Sequence, residues 1–193
     1  LQPPTIHETI MQLTKEIFDI LSRGGFICSD SVNRQTKQMY DAIEDNYEQY
    51  REYYRGVGFN LESGNGYYYF SRDESRVELE SKLDRFTKWI DRLDFLKTFN
   101  SIFGPGFSFR ASNILERIAA DIELKEKARN LYAEKLKIGE TVEKLLDELA
   151  KTGFIELENE LEGVWKVTSS FHYLEEMIDC ITITEDLKNE MHE

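Results

Sequence analysis

Two glycine-marked turns set the tightest limit on how this chain folds, because each lies between two strand-prone runs and is reached through amphipathic helices. The first is Ser63-Gly64-Asn65-Gly66, between Phe59-Asn60-Leu61-Glu62 and Tyr67-Tyr68-Tyr69-Phe70. A tight turn between strands needs positive φ angles, which glycine and asparagine supply, so this segment reads as a β-hairpin. The second follows Gly153, where Phe154-Ile155-Glu156-Leu157 and Val164-Trp165-Lys166-Val167 flank a turn around Asn159 to Gly163. Helices followed by a terminal hairpin, twice over, predict an α+β, mostly helical chain made of two tandem winged-helix modules. Each module is then a helical bundle with a β-hairpin wing. The expected modules are residues 1–74 and 75–193, the second opening with a long helix. No residue-level repeat aligns the two halves, so the duplication is one of layout.

The helices follow from periodicity and caps. Thr5-Ile6-His7-Glu8 fits a capping box, and Ile6, Ile10, Leu13, Ile17 and Leu21 recur on one helical face until Gly24-Gly25. Phe26-Ile27-Cys28 is a brief strand or a tucked-in turn. Ser29, Asp30 and Ser31 offer N-caps for a helix that runs to about Tyr54, with Met39, Ile43, Tyr47, Tyr50 and Tyr54 as its apolar stripe. Ser75-Arg76-Val77-Glu78 opens the long helix, with Leu79, Leu83, Phe86, Ile90 and Leu93 expected inward and Gly104-Pro105-Gly106 beyond its end. Asn113 caps a helix carrying Ile114, Ile118 and Ile122 towards Leu136. A shorter helix after Gly139 carries Val142, Leu145, Leu146 and Leu149. A last helix, about Ser170 to Thr182, carries Phe171, Leu174 and Ile178.

Charge separates the two ends of the chain. Residues 140–193 hold 15 acidic and 4 basic residues, whereas residues 1–139 hold 22 acidic and 20 basic, within a total of −13. A phosphate backbone is repelled by the former and met neutrally by the latter. Only Cys28 and Cys180 are present, both beside apolar residues, and they read as buried thiols of a reducing compartment. No apolar run approaches the roughly 20 residues of a membrane span, and Leu1-Gln2-Pro3-Pro4 has no leader character. The expected address is cytoplasmic.

Catalytic, metal and cofactor patterns do not emerge. The chain lacks a phosphate-binding glycine loop, an HExxH pair, zinc-spaced Cys/His and a nucleophile elbow. Gly56-Val57-Gly58 follows a helix and lacks a third glycine. His7, His172 and His192 stand apart, and zinc needs converging ligands. Glu175-Glu176 and Glu156, Glu158, Glu160 and Glu162 read as solvated faces, the latter alternating with Ile155, Leu157 and Leu161. The expectation is a non-enzyme without cofactor or metal.

Binding residues are better marked. Strand alternation sends Tyr67 and Tyr69 to one face and Tyr68 and Phe70 to the other. Aromatics on both faces fit either a core face with half-exposed tyrosines outside, or an outer face covered by the other module, a like subunit or a partner peptide. These four residues are the candidate partner or dimer interface. On the helix after Asp30, Asn33, Arg34 and Lys37, with Gln35 and Gln38, could meet phosphates or base edges. Asp41, Glu44, Asp45 and Glu48 follow and oppose a cationic field. Lys125, Lys127, Arg129, Lys135 and Lys137 form a second, interrupted basic stretch.

Asp41-Ala42-Ile43 through Tyr53-Tyr54, then Val57-Gly58-Phe59-Asn60-Leu61, then Gly66-Tyr67-Tyr68-Tyr69-Phe70, resembles the MukE/MksE-type subunits of bacterial condensins. The residues that carry the likeness span about 26–72, and the rest agrees in layout. The resemblance implies a homodimeric, non-catalytic subunit that clamps a kleisin of the MukF or MksF type. Through the kleisin it would tune an SMC ATPase in chromosome organisation or plasmid defence, associated with the nucleoid, with DNA contact indirect or weak. No binding residues carry over by position. A winged-helix transcription regulator reading DNA through Asn33, Arg34 and Lys37 is the alternative. If a partner is clamped, the first wing should be covered and a basic partner segment should lie on the acidic second module.

Overall fold

The computed structural model describes residues 6–190, with side chains over 13–180. Thr5 and the side chains of Ile6, His7, Glu8 and Ile10, on which the first capping box and part of its stripe depend, lie outside the described residues, as does His192. Among the described residues there are eight helices and two three-stranded antiparallel sheets, an α+β, mostly helical arrangement. The chain divides into two compact units, Leu1–Asp73 with Thr168–Ser170, and Glu74–Val167 with Phe171–Glu193.

In the first unit the order is α1 (Ile6–Leu21), β1 (Ile27–Cys28), α2 (Arg34–Asp45), α3 (Tyr47–Arg55), β2 (Asn60–Ser63) and β3 (Tyr67–Ser71). The sheet order is β1-β3-β2, with Ile27 opposite Tyr68 and Leu61 opposite Phe70. Ile17, Leu21, Ile27, Met39, Ile43, Tyr50, Tyr54, Leu61 and Tyr68 form the core. The single helix expected after Asp30 is two. Its cap is Asn33, whose Oδ1 accepts from the Gln35 and Thr36 N–H groups, not Ser29, Asp30 or Ser31. The break falls at Asn46, whose Nδ2 donates to the Ala42 carbonyl at 3.2 Å while its own carbonyl accepts from Gln49 and Tyr50. An asparagine side chain that competes with the backbone ladder in this way ends a helix without disturbing the apolar stripe.

The two turn glycines differ in role. Gly66 has φ +82°, the left-handed conformation expected of the turn. Gly64 supplies room instead: a Cβ there would lie 2.0 Å from the Tyr67 ring, which covers it.

In the second unit α4 (Arg76–Phe99), β4 (Ser108–Arg110), α5 (Ala111–Ala120), α6 (Ile122–Asn130), α7 (Ile138–Thr152), β5 (Ile155–Asn159), β6 (Val164–Val167) and α8 (Phe171–Glu190) follow in turn. Its sheet order, β4-β6-β5, matches that of the first unit. The Ser75–Glu78 capping box forms as expected: the Ser75 N–H donates to Glu78 at 2.8 Å. Leu79 and Leu83, expected inward, are each 47% exposed. Periodicity marks the apolar face of a helix but not how far along it a neighbour reaches. Packing begins at Phe86 on Tyr173 and Trp89 on Phe154, and Phe95 and Leu96 are fully buried. The helix expected from Asn113 starts at Ala111, with Asn113 Oδ1 accepting from the Arg110 N–H at 2.9 Å from inside the first turn. It stops at Asp121, which caps α6 through the Leu124 N–H, so Ile122 opens a new helix and is 82% exposed. Leu161 lies in the turn beyond β5, fully exposed, rather than on an alternating strand. The α7 stripe and Phe171, Leu174 and Ile178 are buried as the spacing predicts, although α8 extends to Glu190.

Replacing Gly64 by alanine should cost about 1–3 kcal/mol of stability, since the Tyr67 ring beneath is buried and must shift. A Tyr67→Ala change in the Gly64→Ala background should then add less than it does alone. Thermal or urea unfolding of the four proteins checks both.

Candidate interaction site

The first hairpin is held from both faces by its own unit. On the inner face Tyr68 lies 5.0 Å from Tyr40 and 5.9 Å from Tyr47, while Phe70 lies 4.7 Å from Tyr54 and 5.1 Å from Phe59. The Tyr47 hydroxyl donates to the Leu61 carbonyl and the Tyr54 hydroxyl to the Thr14 carbonyl, both at 2.9 Å. Each phenol, Tyr54 buried and Tyr47 half-buried, thus ties a helix to a neighbouring element. On the outer face Tyr67 is buried edge-on against Phe26 at 5.7 Å and over Gly64, and Tyr69 leans on Phe26 at 6.1 Å. Of the four aromatics singled out, Tyr67 and Tyr68 are buried and Tyr69 and Phe70 half-buried. Phe26, one position before β1, supplies outer cover; only the register of β1 on β3 reveals this, with Cys28 opposite Tyr67.

At the turn, Thr168–Ser170 completes the unit. The Ser169 N–H donates to Asp30 Oδ1 at 2.9 Å and its hydroxyl donates to the Gly66 carbonyl at 2.6 Å, which also accepts from the Ser29 N–H. All three residues are buried, and Thr168 and Ser170 share a hydroxyl hydrogen bond at 2.8 Å. Burial raises the Cys28 thiol above its usual range, and hydrogen bonds from Ser169 and Ser170 oppose the shift. Cys180, expected buried, is exposed, because it falls two positions after Ile178 and so on the opposite side of α8.

Asn33, Arg34 and Lys37 are exposed on the first turn of α2. The break at Asn46 removes them from α3, the helix that leads into the hairpin. On α3 the exposed charges are Glu48, Arg51, Glu52 and Arg55, with Arg51 paired to Glu48 at 3.3 Å. On α7, which leads into the second hairpin, Glu140, Glu143, Asp147 and Lys151 are exposed and Lys151 pairs with Asp147. The helix before each hairpin is therefore neutral in one unit and acidic in the other.

Two of the five cations in the basic stretch around α6 are compensated. Lys127 contacts Asp94 at 2.7 Å and Glu123 at 3.1 Å, and Arg129 contacts Glu126 at 2.6 Å. Glu175, read as solvated, accepts from Lys97 Nζ at 2.6 Å with His172 Nδ1 3.4 Å away, and Glu162 pairs with Arg110. Arg92, 4.8 Å over the Trp89 ring and 5.2 Å over Tyr132, reaches Glu148 at 2.9 Å, where the Tyr132 hydroxyl also donates. These contacts bind α4, the segment after α6, and α7 of the second unit together. Among the described residues no group of three His, Cys, Asp or Glu is placed to hold a metal, and no helix is long and apolar enough to cross a membrane.

Burial pushes the Tyr68 phenol up to about 12 from 10.0, and raises Tyr40, Tyr47 and Tyr54 as well. The neutral phenol is the folded form, so this stabilisation is complete below pH 10 and is lost as pH rises towards about 12. Melting temperature and tyrosinate absorbance should therefore fall and rise together across that interval, with Tyr68→Phe moving the loss to higher pH.

Compared with protein-family models, residues 12–178 match the one described as condensin complex protein MksE. No curated protein matches the chain.

Proposed function

The chain belongs to the family of the condensin complex protein MksE, and on that premise we propose that it acts as a non-catalytic, kleisin-binding subunit of an SMC complex. In this reading it is a homodimer of two tandem winged-helix modules, residues 1–74 and 75–193. It engages a kleisin-like chain of the MukF or MksF type and, through it, an SMC ATPase, in chromosome organisation or plasmid defence at the nucleoid. The observation that carries the reading is the shared plan of the units. In each, a short strand follows an opening helix, precedes the two or three helices that lead to the hairpin, and pairs with that hairpin's return strand, giving the orders β1-β3-β2 and β4-β6-β5. That order of helices and strands supports the winged-helix assignment.

The charge map supports polypeptide over nucleic acid as the direct ligand. A winged helix that reads DNA presents a cationic helix to the groove, and neither α3 nor α7 offers one. DNA contact is then indirect, through the assembled complex. Tyr69, half-buried on the outer hairpin face, is the aromatic we place against a partner or a second copy.

Co-expression with the kleisin-like product of a neighbouring gene should yield a stable complex that survives affinity capture and gel filtration; failure to co-purify sinks the kleisin reading. The double variant Arg34→Glu, Lys37→Glu should leave binding of the isolated protein to duplex DNA unchanged across salt concentrations. A lost salt slope would instead put DNA on α2.

A further inference from the structure

In the second unit β4 is an edge strand, since the order β4-β6-β5 gives it a neighbour on one side only. The Phe107 carbonyl accepts from the Val167 N–H at 2.9 Å, and the paired residues are Ser108 with Lys166 and Phe109 with Trp165. Antiparallel pairing alternates, so if Phe107 and Phe109 bond to β6, the N–H and C=O of Ser108 turn to the outer edge. Consistent with this, the Arg110 N–H also faces outward and is taken by Asn113 Oδ1. An open edge of this kind is a template for another strand.

Beside that edge lies an open groove of about 550 Å³, within the range of small-ligand and peptide sites. Phe99, Phe107 and Phe109 supply its apolar lining, and Asn113, Glu116, Arg117 and Ala120 of α5 form one wall. Phe107 and Phe109 stack at 6.1 Å and 18°. The two charges on the wall are not equivalent. Arg117 is held by Asp121 at 3.4 Å, whereas Glu116 is exposed and has no ion-pair partner among the described residues. The groove is thus apolar at its base, hydrogen-bonding along one side and singly negative at its rim.

We propose that this groove seats an extended segment of a partner chain, added as a short strand to the open edge of β4. An apolar side chain of the segment packs against Phe99, Phe107 and Phe109, and a lysine or arginine pairs with Glu116. Main-chain bonds to Ser108 supply affinity and the side chains supply selectivity, as in other strand-addition sites. Charge decides between occupants. A second copy of this chain, at −13, brings an acidic surface to an acidic rim, whereas a basic, apolar segment complements it. The inference rests on the partner-binding role proposed above and adds the place and the chemistry of the contact.

The test is a titration of the intact, isotope-labelled protein with the acetylated amide peptide Thr-Val-Lys-Phe-Thr-Val, followed by amide NMR. Shifts should concentrate at Ser108, Phe109, Asn113 and Glu116. Affinity should fall about tenfold or more for Glu116→Lys, for the peptide with Glu in place of Lys, and for Ala120→Trp, which fills the groove from the exposed end of α5. Both substitutions are on the surface, and folding of the variants is checked by unshifted amides of the second unit away from the groove, in β5 and α8. No binding at roughly millimolar peptide, or shifts elsewhere that both variants leave intact, overturns the proposal. A kleisin complex that still forms with Ala120→Trp would likewise overturn the groove while leaving the complex itself standing.

Discussion

Each unit depends on one pairing: a strand of two or three residues, set down after the opening helix, zips onto the return strand of a hairpin that the chain makes only two or three helices later. Helices alone could pack at many angles. Once Ile27 is opposite Tyr68 and Phe109 opposite Trp165, the helices between must cover one face of the sheet. The same pairing places Phe26 on Tyr67 and brings the Ser29 N–H to the Gly66 carbonyl. Outer cover of the first hairpin, the geometry of its turn and the burial of Cys28 all follow from that short contact.

Hairpins and strongly periodic helices were legible because their signals are local. Gly64-Asn65-Gly66 names its own turn, and Val142, Leu145, Leu146 and Leu149 name a face of α7 that is buried throughout. What escaped was set by distant residues. The three residues of β4 carry no pattern of their own and become a strand only because β6 accepts them. Leu79 and Leu83 share the face of Phe86 and Ile90, yet no neighbour covers them to the same depth. The breaks at Asn46 and Asp121 leave hydrophobic spacing almost intact, so periodicity passes through them. Only the side-chain bonds to Ala42 and Leu124 give them away.

The candidate site was less legible than the fold, for an electrostatic reason. Counting charges along the chain separates an acidic C-terminal third from a neutral remainder. It does not say which charges are spent on one another. Lys127, Arg129 and Lys151 each meet a carboxylate on their own helix, and Arg92 is drawn between two aromatic rings to Glu148. Exposed pairs of this kind add little stability, but they cancel the field that a polyanion would feel. What remains for a ligand to sense is the uncancelled charge, and the Glu116 carboxylate beside an open strand edge is one such group.

Tyrosine in the first hairpin and its supporting helices bears on which surface can respond to a partner. Phenylalanine would fill the same space, but the phenols of Tyr47 and Tyr54 also reach the carbonyls of Leu61 and Thr14, so the helices are tethered as well as packed. Moving that hairpin would break the Tyr47–Leu61 bond and pull Tyr68 and Phe70 out of the aromatic packing beneath them. The first hairpin is therefore a rigid part, able to be docked against but not to be reshaped. In the second unit the edge of β4 and the exposed turn of the β5–β6 hairpin are held by surface contacts instead, Arg110 on Glu162, Ser108 on Glu158 and Asn113 on the Arg110 N–H. A partner that binds by adding backbone to backbone needs an edge whose bonds are still to be made, and the second unit has one.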